Sequence, residues 1–214
     1  TGVQTCALPI SFWTCAASFP PNKEEVYADH AEAQEFSKNI DKTVLEYGCG
    51  GGSDTLSYLR RGCRVWFADI VAQNIMATME QIRRCDLQGH GSPILLKASD
   101  DLSAVKDGAI DVVNCHGVLH HIPNAVTRER VLKEFHRVLK PGGRLYLMLY
   151  TEHLLDRFAV EIKALVDKLG ISESQAFGWC TDGKGCPFAT AYEEPDARLL
   201  LEDAGFTIES TFEY

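Results

Sequence analysis

The residues with the clearest chemical meaning form a glycine-rich segment, Glu46 to Gly52, with the sequence EYGCGGG. Glycines at alternate positions allow the backbone to turn tightly and to approach a ligand without interference from Cβ atoms. An apolar run at residues 43–47 precedes the segment, and a helix capped by Ser53 is predicted to follow it. A strand–loop–helix arrangement directs backbone N–H groups at a ligand, so the segment predicts a site for a nucleotide-like molecule.

The spacing of these glycines distinguishes between classes of nucleotide. A dinucleotide fingerprint reads G-x-G-x-x-G/A, but its third position is Ser53 when counted from Gly48 and Thr55 when counted from Gly50. The segment instead reads G-x-G-x-G after an acidic residue, Glu46. A carboxylate in this place suits a cationic part of a ligand, because it makes a charge-assisted contact directly or through water.

Asp69 is a second candidate binding residue, 17 positions beyond Gly52 and at the end of the next predicted strand. A carboxylate at this point can hold the hydroxyls of a ribose. The alternative interpretation is a polar residue that only starts the turn after the strand.

The elements that position these residues alternate between apolar strands and amphipathic helices. This pattern predicts a doubly wound, mostly parallel sheet with helices on both faces, which is an α/β fold that binds ligands at the carboxyl ends of its strands. The predicted strands span residues 43–47, 64–68, 94–98, 110–115 and 144–150, and the predicted helices begin at Ser53 and span residues 71–84 and 127–139.

Several motifs together resemble the class I (Rossmann-like) S-adenosylmethionine-dependent methyltransferases. They are VLEYGCGGG, then Asp69, then VLHHIP, then RVLKPGGRLYL, in this order along the chain. The resemblance covers residues 44–150 closely and residues 192–206 more loosely. It implies S-adenosylmethionine as the cofactor and transfer of its methyl group to an acceptor that the sequence does not identify.

The resemblance also implies which residues bind the cofactor. The glycine loop would surround the methionyl and ribose portions, Asp69 would take both ribose hydroxyls, and Ile70 would pack against the adenine. Near the adenine amino group Asp100 is favoured, with Ser99 and Asp101 as alternatives. The predicted set is Glu46, Gly48, Cys49, Gly50, Gly52, Asp69, Ile70, Asp100 and Asn114.

Histidines after the fourth strand are the candidate catalytic residues. Methyl transfer mainly needs alignment of the acceptor, and a base helps only when the acceptor must lose a proton. His116 and His121 are candidates for that role or for orienting the acceptor, and a structural hydrogen bond is the alternative for His121. The histidines fall on different predicted elements, so no metal site is expected. The Asn/Asp-Pro-Pro-aromatic signature of many amino-group methyltransferases is missing here.

The two ends of the chain differ from the regular middle. Residues 1–18 are expected to be a non-native or disordered leader, and residues 19–214 to be a single domain. A helix is predicted over residues 24–37. The family's sheet ends in an antiparallel hairpin, and the chain supplies only its first strand, which leaves open a sheet without its last strand.

Residues 151–194 are predicted to be an insertion on the acceptor side. Their aromatic residues fit either the lining of an apolar acceptor pocket or a seal over the core; these are Phe177, Trp179, Phe188 and Tyr192. The C-terminal part is predicted to contain a helix at residues 154–169, a loop at 178–189, a helix at 195–204 and a strand at 206–212.

Composition limits the classes of partner. The net charge of the 214-residue chain is −9 and it has no cluster of Lys and Arg, so neither nucleic acid nor a membrane surface is an expected partner. A small-molecule acceptor is expected, and the oligomeric state is not predicted. The eight cysteines include no C-x-x-C pair, which favours a reducing, cytoplasmic location.

Two other functions compete with a methyltransferase. One is a non-catalytic or truncated S-adenosylmethionine-binding protein. The other is a nicotinamide-dependent oxidoreductase, against which Ser53 and Glu46 argue.

Overall fold

The computed structural model describes residues 2–7 and 35–213. In chain order the strands are β1 (Gly2–Ala7), β2 (Thr43–Tyr47), β3 (Arg64–Asp69), β4 (Gly91–Leu95), β5 (Ile110–His116), β6 (Leu139–Met148), β7 (Tyr150–Thr151), β8 (Ala191–Tyr192) and β9 (Thr207–Glu213). The α-helices are α1 (Ser53–Leu59), α2 (Ala72–Arg84), α3 (Ala125–Val138), α4 (Glu152–Arg157), α5 (Ala159–Leu169), α6 (Glu173–Asp182) and α7 (Glu194–Asp203). Short 3-10 helices span Phe36–Lys38 and Leu119–His121.

A seven-stranded sheet forms the centre of the fold. Its strand order is β4-β3-β2-β5-β6-β1-β9, and β7 pairs with β8 in a separate two-stranded sheet. The strands pair in parallel throughout the described residues. The predicted doubly wound sheet is therefore confirmed, and the reversal of strand order falls between β2 and β5, where such sheets bind ligands.

Two hydrophobic clusters cover the two faces of this sheet. Along β2, Leu45 packs in one cluster with Phe135 of α3, whereas Val44 packs in the other with Tyr58 of α1. Successive residues of a strand point to opposite faces, so a strand buried on both faces is apolar at most positions. Full burial of one such side chain contributes about 1.5–3 kcal/mol.

The first strand lies in a place that the sequence did not predict. Gly2–Ala7 sits between β6 and β9, with Gly2 opposite both Arg144 and Thr207, and its register with β9 shifts between Val3 and Gln4. This part of the expected leader is thus a strand of the sheet, and it separates β9 from β6. A non-native origin for residues 1–18 stays a prediction. The predicted helix at residues 24–37 lies almost entirely outside the described residues.

The predicted third strand is shifted by three residues. The sequence predicted residues 94–98, but β4 is Gly91–Leu95, and Pro93 within it is paired with Phe67 of β3. Proline lacks an N–H group and is tolerated on an edge strand, where one side of the backbone has no partner strand. The predicted bounds of this strand were therefore wrong.

The fifth predicted strand starts earlier than expected. Ile110 pairs with Leu139, but Val112 pairs with Arg144, so residues 140–143 form an irregularity within β6. The proline and the two glycines in this segment form a bulge within β6, whereas the sequence predicted a break between the helix ending at residue 139 and the strand beginning at residue 144. The predicted cap on α1 also differs, because Gly52 occupies the N-cap position and Ser53 is the first helical residue.

The segment from residue 151 to residue 194 forms a small core of its own. The predicted helix at 154–169 is divided at Phe158 into α4 and α5. The predicted loop at 178–189 is helical up to Asp182. Ser172 caps the start of this helix, α6, by accepting a hydrogen bond from the backbone N–H of Gln175. Gly178 lies inside this helix, where a Cβ would come within 2.7 Å of the Cys186 sulfur.

The aromatic residues of this segment differ in their burial. Phe177 is 1% exposed and belongs to the cluster beneath α4 to α6, as a sealing residue would. Trp179, Phe188 and Tyr192 are only partly buried. None of the helices in the described residues has the length and apolar character needed to cross a membrane.

Candidate functional site

The glycine loop connects β2 to α1 at the carboxyl edge of the sheet. Gly48, Gly50 and Gly52 all have positive φ angles, of 80°, 51° and 85°. The backbone N–H groups of Gly48 and Cys49 both donate to the carbonyl oxygen of Ala68, at 2.8 and 3.0 Å. The loop is therefore attached to the end of β3, and its conformation requires residues without a Cβ.

Two of these glycines also allow close packing. A Cβ on Gly48 would overlap the side chain of Val118, and a Cβ on Gly52 would come within 3.1 Å of the Cα of Thr78. Around Gly50, by contrast, a Cβ would meet nothing within 4 Å. Gly48 and Gly52 thus serve the packing of the loop, whereas Gly50 faces open space at the edge of the sheet.

Asp69 lies at the end of β3 and is 6% exposed. Its Oδ2 accepts hydrogen bonds from the backbone N–H of Gly50 at 3.1 Å and from the side-chain amide of Asn74 at 3.0 Å. Its Oδ1 accepts one from the backbone N–H of Val71 at 2.8 Å. Asp69 thus organises the turn into α2, as the alternative interpretation expects, and it also contacts the glycine loop; its role as a ribose ligand stays a prediction.

These bonds limit what the Asp69 carboxylate can still accept. A carboxylate has about four acceptor positions, and protein donors already occupy three of them. A ribose that binds through both hydroxyls must therefore displace one of these protein donors, or bond to a carboxylate oxygen that still accepts a bond from one of them. Beside this carboxylate, Ile70 is 54% exposed. An exposed apolar side chain next to a buried carboxylate fits the adenine and ribose of a nucleoside.

Glu46 and Cys49 complete the wall of the loop. Glu46 is 4% exposed and Cys49 is 5% exposed. Burial raises the pKa of the Cys49 thiol to about 12, against a smaller opposing effect of its hydrogen bond with Thr78. Cys49 is therefore a neutral thiol at physiological pH and acts as a small packing residue.

A polar group that the sequence did not predict connects α1 to β5. Asp54, in the first turn of α1, accepts a hydrogen bond from the side chain of Asn114 at 3.2 Å. The Nδ1 atom of His116 lies 3.8 Å from the same carboxylate oxygen of Asp54. Asn114 and His116 are thus brought to the helix that follows the glycine loop, and Asp54 is the residue that joins them.

Thr78 and Asn74 of α2 are further residues that the sequence did not predict. The Thr78 hydroxyl donates to the carbonyl oxygen of Gly50 at 3.1 Å, and Asn74 donates to Asp69. Both side chains point from one face of α2 at the loop. The helical spacing of four positions between them was the signal available in the sequence.

The three adenine candidates after β4 occupy different positions. The backbone carbonyl of Ser99 accepts a hydrogen bond from the Tyr47 hydroxyl at 2.6 Å. Asp100 lies 3.6 Å from Arg130 of α3 in an ion pair. Asp101 accepts hydrogen bonds from the hydroxyl and the backbone N–H of Ser103 and is partly exposed. Asp101 is therefore a turn residue, and the assignment of Asp100 to the adenine stays a prediction.

His121 lies in a cluster with the segment from residue 151 to residue 194. Its Nδ1 is 2.9 Å from the carbonyl oxygen of Phe188, and its Nε2 is 3.6 Å from Asp182. Burial opposes protonation of this ring, but hydrogen bonds with Asp182 and Cys186 outweigh it and raise the pKa of His121 to about 10. The structural hydrogen bond offered as the alternative for His121 is present.

The neighbouring His120 is fully buried. Its ring stacks on Tyr150 with centroids 3.7 Å apart, and burial lowers its pKa well below the usual value. The Tyr150 hydroxyl donates to Asp182 at 2.8 Å. The structure thus brings His121 together with Asp182 and Cys186, a grouping that the sequence did not predict.

Comparison with known proteins agrees with the resemblance seen in the sequence. Residues 45–147 match the family model described as a methyltransferase domain. The chain is 32% identical over 130 residues to the human thiol S-methyltransferase TMT1A, covering 59% of this chain and 49% of that protein. It is also 32% identical over 108 residues to a ubiquinone biosynthesis O-methyltransferase of Xanthomonas oryzae, covering 49% of this chain and 41% of that protein.

Solved structures agree with this match at the level of the fold. A SAM-dependent methyltransferase from Methanosarcina mazei superposes with a TM-score of 0.61 at 23% identity, covering 79% of this chain and 82% of that one. The YcgJ protein of Bacillus subtilis superposes with a TM-score of 0.60 at 15% identity, covering 82% and 68%.

Residues 45–147 therefore match a methyltransferase domain, and the solved structures confirm, at the level of the fold, the resemblance seen in the sequence. The chain spans about half the length, or less, of the curated relatives described above.

Proposed function

We propose that this chain is an S-adenosylmethionine-dependent methyltransferase that transfers a methyl group to a small-molecule acceptor. The single observation that carries the proposal is the hydrogen bond between Gly50 and Asp69, which joins the glycine loop to the carboxylate at the end of β3. Both groups lie at the carboxyl ends of adjacent strands, within the segment that matches the methyltransferase domain.

The residues at this edge fit the parts of the cofactor. Asp69 would hold the ribose, Ile70 would contact the adenine, and the buried Glu46 would hold the amino group of the methionyl portion. The open space at Gly50 leaves room for the ligand to approach the backbone. When bound, S-adenosylmethionine supplies an electrophilic methyl group, and the protein's task is to align an acceptor with it.

His116 is the better candidate of the two histidines for contact with the acceptor. It lies at the end of β5, and Asp54 of α1 is 3.8 Å from its Nδ1. Both ring nitrogens of His121 face protein groups, Phe188 on one side and Asp182 on the other. His121 therefore has no ring nitrogen directed at an acceptor, whereas His116 lies next to the helix that begins at the glycine loop.

The acceptor atom is proposed to be a phenolic oxygen or a thiol sulfur. The similar proteins are named as an O-methyltransferase and an S-methyltransferase, and both kinds of acceptor react after losing a proton. A neutral imidazole at position 116 would remove that proton. Residues 151–194 would supply the acceptor-side wall, for which Trp179 and Tyr192 are the partly buried aromatic candidates.

The experiment that tests this function is calorimetric titration of the purified chain with S-adenosylhomocysteine, with NADH as the control ligand. Binding of S-adenosylhomocysteine alone supports the cofactor assignment. Methyl transfer is then measured from a labelled donor to a matched pair of aromatic acceptors, one a catechol and one a thiophenol. Binding without transfer to any acceptor would favour a non-catalytic protein, and binding of NADH would contradict the assignment.

A further inference from the structure

Three side chains of different chemistry meet where the inserted segment contacts the sheet. His121 ends the short helix after β5, Asp182 is the last residue of α6, and Cys186 lies in the loop that follows. One candidate ligand atom from each lies within 4.8 Å of the other two. Imidazole nitrogen, carboxylate oxygen and thiolate sulfur are the ligand types of zinc sites in proteins.

The distances within this group are close to those between ligands of one ion. The sulfur of Cys186 is 3.6 Å from Nδ1 of His121, and a carboxylate oxygen of Asp182 is 3.6 Å from Nε2. Metal–ligand bonds of about 2.0–2.3 Å in tetrahedral geometry separate neighbouring ligand atoms by roughly 3.3–3.6 Å. Because these two distances end on different nitrogens of one ring, an ion bound to either nitrogen would require one of the two partners to move toward it.

The imidazole can contribute only one nitrogen, and its surroundings indicate which. Nδ1 is 2.9 Å from the carbonyl oxygen of Phe188, and a metal-bound histidine commonly donates its other N–H to such a carbonyl. Nε2, which faces Asp182, is then the ligand. Cys186 would approach it by adjustment of its loop, in which Gly183 and Gly185 both have positive φ and open space around the Cβ position.

The carboxylate of Asp182 is also held in place by neighbouring groups. The Tyr150 hydroxyl donates to Oδ1 at 2.8 Å, and the Thr181 hydroxyl donates to Oδ2 at 2.6 Å. Outer hydrogen bonds of this kind orient the ligands of metal sites. They come from the end of the sheet and from α6, so the carboxylate is oriented before any ion binds.

We propose that His121, Asp182 and Cys186 form a binding site for a divalent transition-metal ion of the zinc type, with three protein ligands and one further position for water or another ligand. The site would join α6 and its following loop to the sheet. It uses none of the residues assigned to S-adenosylmethionine, and the proposal does not depend on methyl transfer.

Cobalt(II) is a suitable probe because its bond to a thiolate gives a charge-transfer absorption band. The chelator-treated full chain is titrated with Co²⁺, and one equivalent should produce this band and be displaced by Zn²⁺. Cys186→Ser should lose the band and weaken metal binding at least tenfold. Cys180→Ser is the matched control, because Cys180 is on α6 but outside the group, and it should keep the band. Absence of one-to-one binding, or an unchanged band in Cys186→Ser, would overturn the proposal.

A second measurement needs no variant and therefore does not depend on whether Cys186→Ser folds. Alkylation of the wild-type chain is followed at each cysteine by mass spectrometry, with and without one equivalent of Zn²⁺. Zinc should protect Cys186 at least tenfold and leave Cys180 unchanged. Equal labelling of Cys186 in both conditions would contradict the site.

Discussion

The carboxylate of Asp69 accepts a hydrogen bond from the backbone N–H of Gly50 at 3.1 Å, so the loop after β2 and the end of β3 form one bonded unit. The same carboxylate bonds the start of α2 through Val71 and Asn74. A substitution at Asp69 therefore changes the shape of the glycine loop as well as the contacts that a ribose would make.

Asp69→Asn is expected to weaken binding of S-adenosylhomocysteine at least tenfold. The substitution removes the charge that strengthens hydrogen bonds from a ribose, each worth about 1.5–3 kcal/mol when one partner is charged. Calorimetric titration measures the change in Kd. Asp101→Asn is the matched control, because Asp101 is partly exposed and its carboxylate bonds Ser103 within its own turn. Equal affinity of a folded Asp69→Asn chain and the wild type would contradict the assignment.

Gly48→Ala is expected to destabilise the fold more than Gly50→Ala does. Both glycines have positive φ, which costs about 1–2 kcal/mol for a residue with a Cβ. Only at position 48 does the new methyl group overlap a neighbour, Val118, which adds about 1–3 kcal/mol of overpacking. Urea unfolding of the two variants measures the difference.

Shortening the neighbour provides an internal check on the Gly48 prediction. Val118→Ala should recover part of the stability of Gly48→Ala, although it lowers the stability of the wild-type chain. Strictly additive effects of the two substitutions would show that the overlap with Val118 is not the cause.

Cys49 should react slowly with alkylating reagents despite its place in the proposed cofactor loop. Its pKa is raised to about 12 by burial, so at pH 8 only about one thiol in ten thousand is ionised. Cys85 at the end of α2 is partly exposed and serves as the internal comparison. Time-resolved iodoacetamide labelling with peptide mass spectrometry should find Cys85 modified well before Cys49. Faster labelling of Cys49 would show an open or thiolate-stabilising loop.

Asp111 should contribute stability that depends on pH. Burial opposes its ionisation, but hydrogen bonds from Lys140 at 2.8 Å and from the backbone N–H of Thr43 at 2.9 Å outweigh this and lower its pKa. A lowered pKa in the folded state stabilises the protein above the unfolded pKa of about 3.9 and loses this contribution as the pH falls through the folded value.

The Asp111→Asn variant should therefore be less stable than the wild type by about 1 kcal/mol at pH 7. The difference should become smaller below pH 4. Denaturant titrations of both proteins at pH 7 and at pH 3 measure it. A difference that is the same at both values of pH would mean that the charge of Asp111 is not its cause.

The parts of the site that the sequence predicted are those fixed by strand ends. Glycines after β2 and an acidic residue after β3 must meet, because parallel strands bring their carboxyl ends to the same edge. The helices α2 and α3 were predicted within two residues at each end, since their apolar residues recur with helical spacing.

Contacts that depend on how elements pack could not be predicted in this way. Asp54 and Asn114 are 60 positions apart and meet only because α1 lies against the end of β5. His121 and Cys186 are separated by 65 positions, and no pattern in the sequence links them. The sequence also predicted a loop where α6 continues, because Gly178 is typical of a turn. In the structure Gly178 lies within the helix, where the close approach of Cys186 requires a glycine.

Pro93 has a consequence for how the protein behaves at high concentration. The backbone N–H of Leu96 and the carbonyl of His90 both form hydrogen bonds with β3. The backbone groups of alternate residues in β4, including Pro93, therefore point away from β3. In the described part of the sheet, the middle outward position of this edge thus has no N–H to offer to another strand. The proline limits recruitment of a second chain along β4, so it protects this margin of the sheet against aggregation.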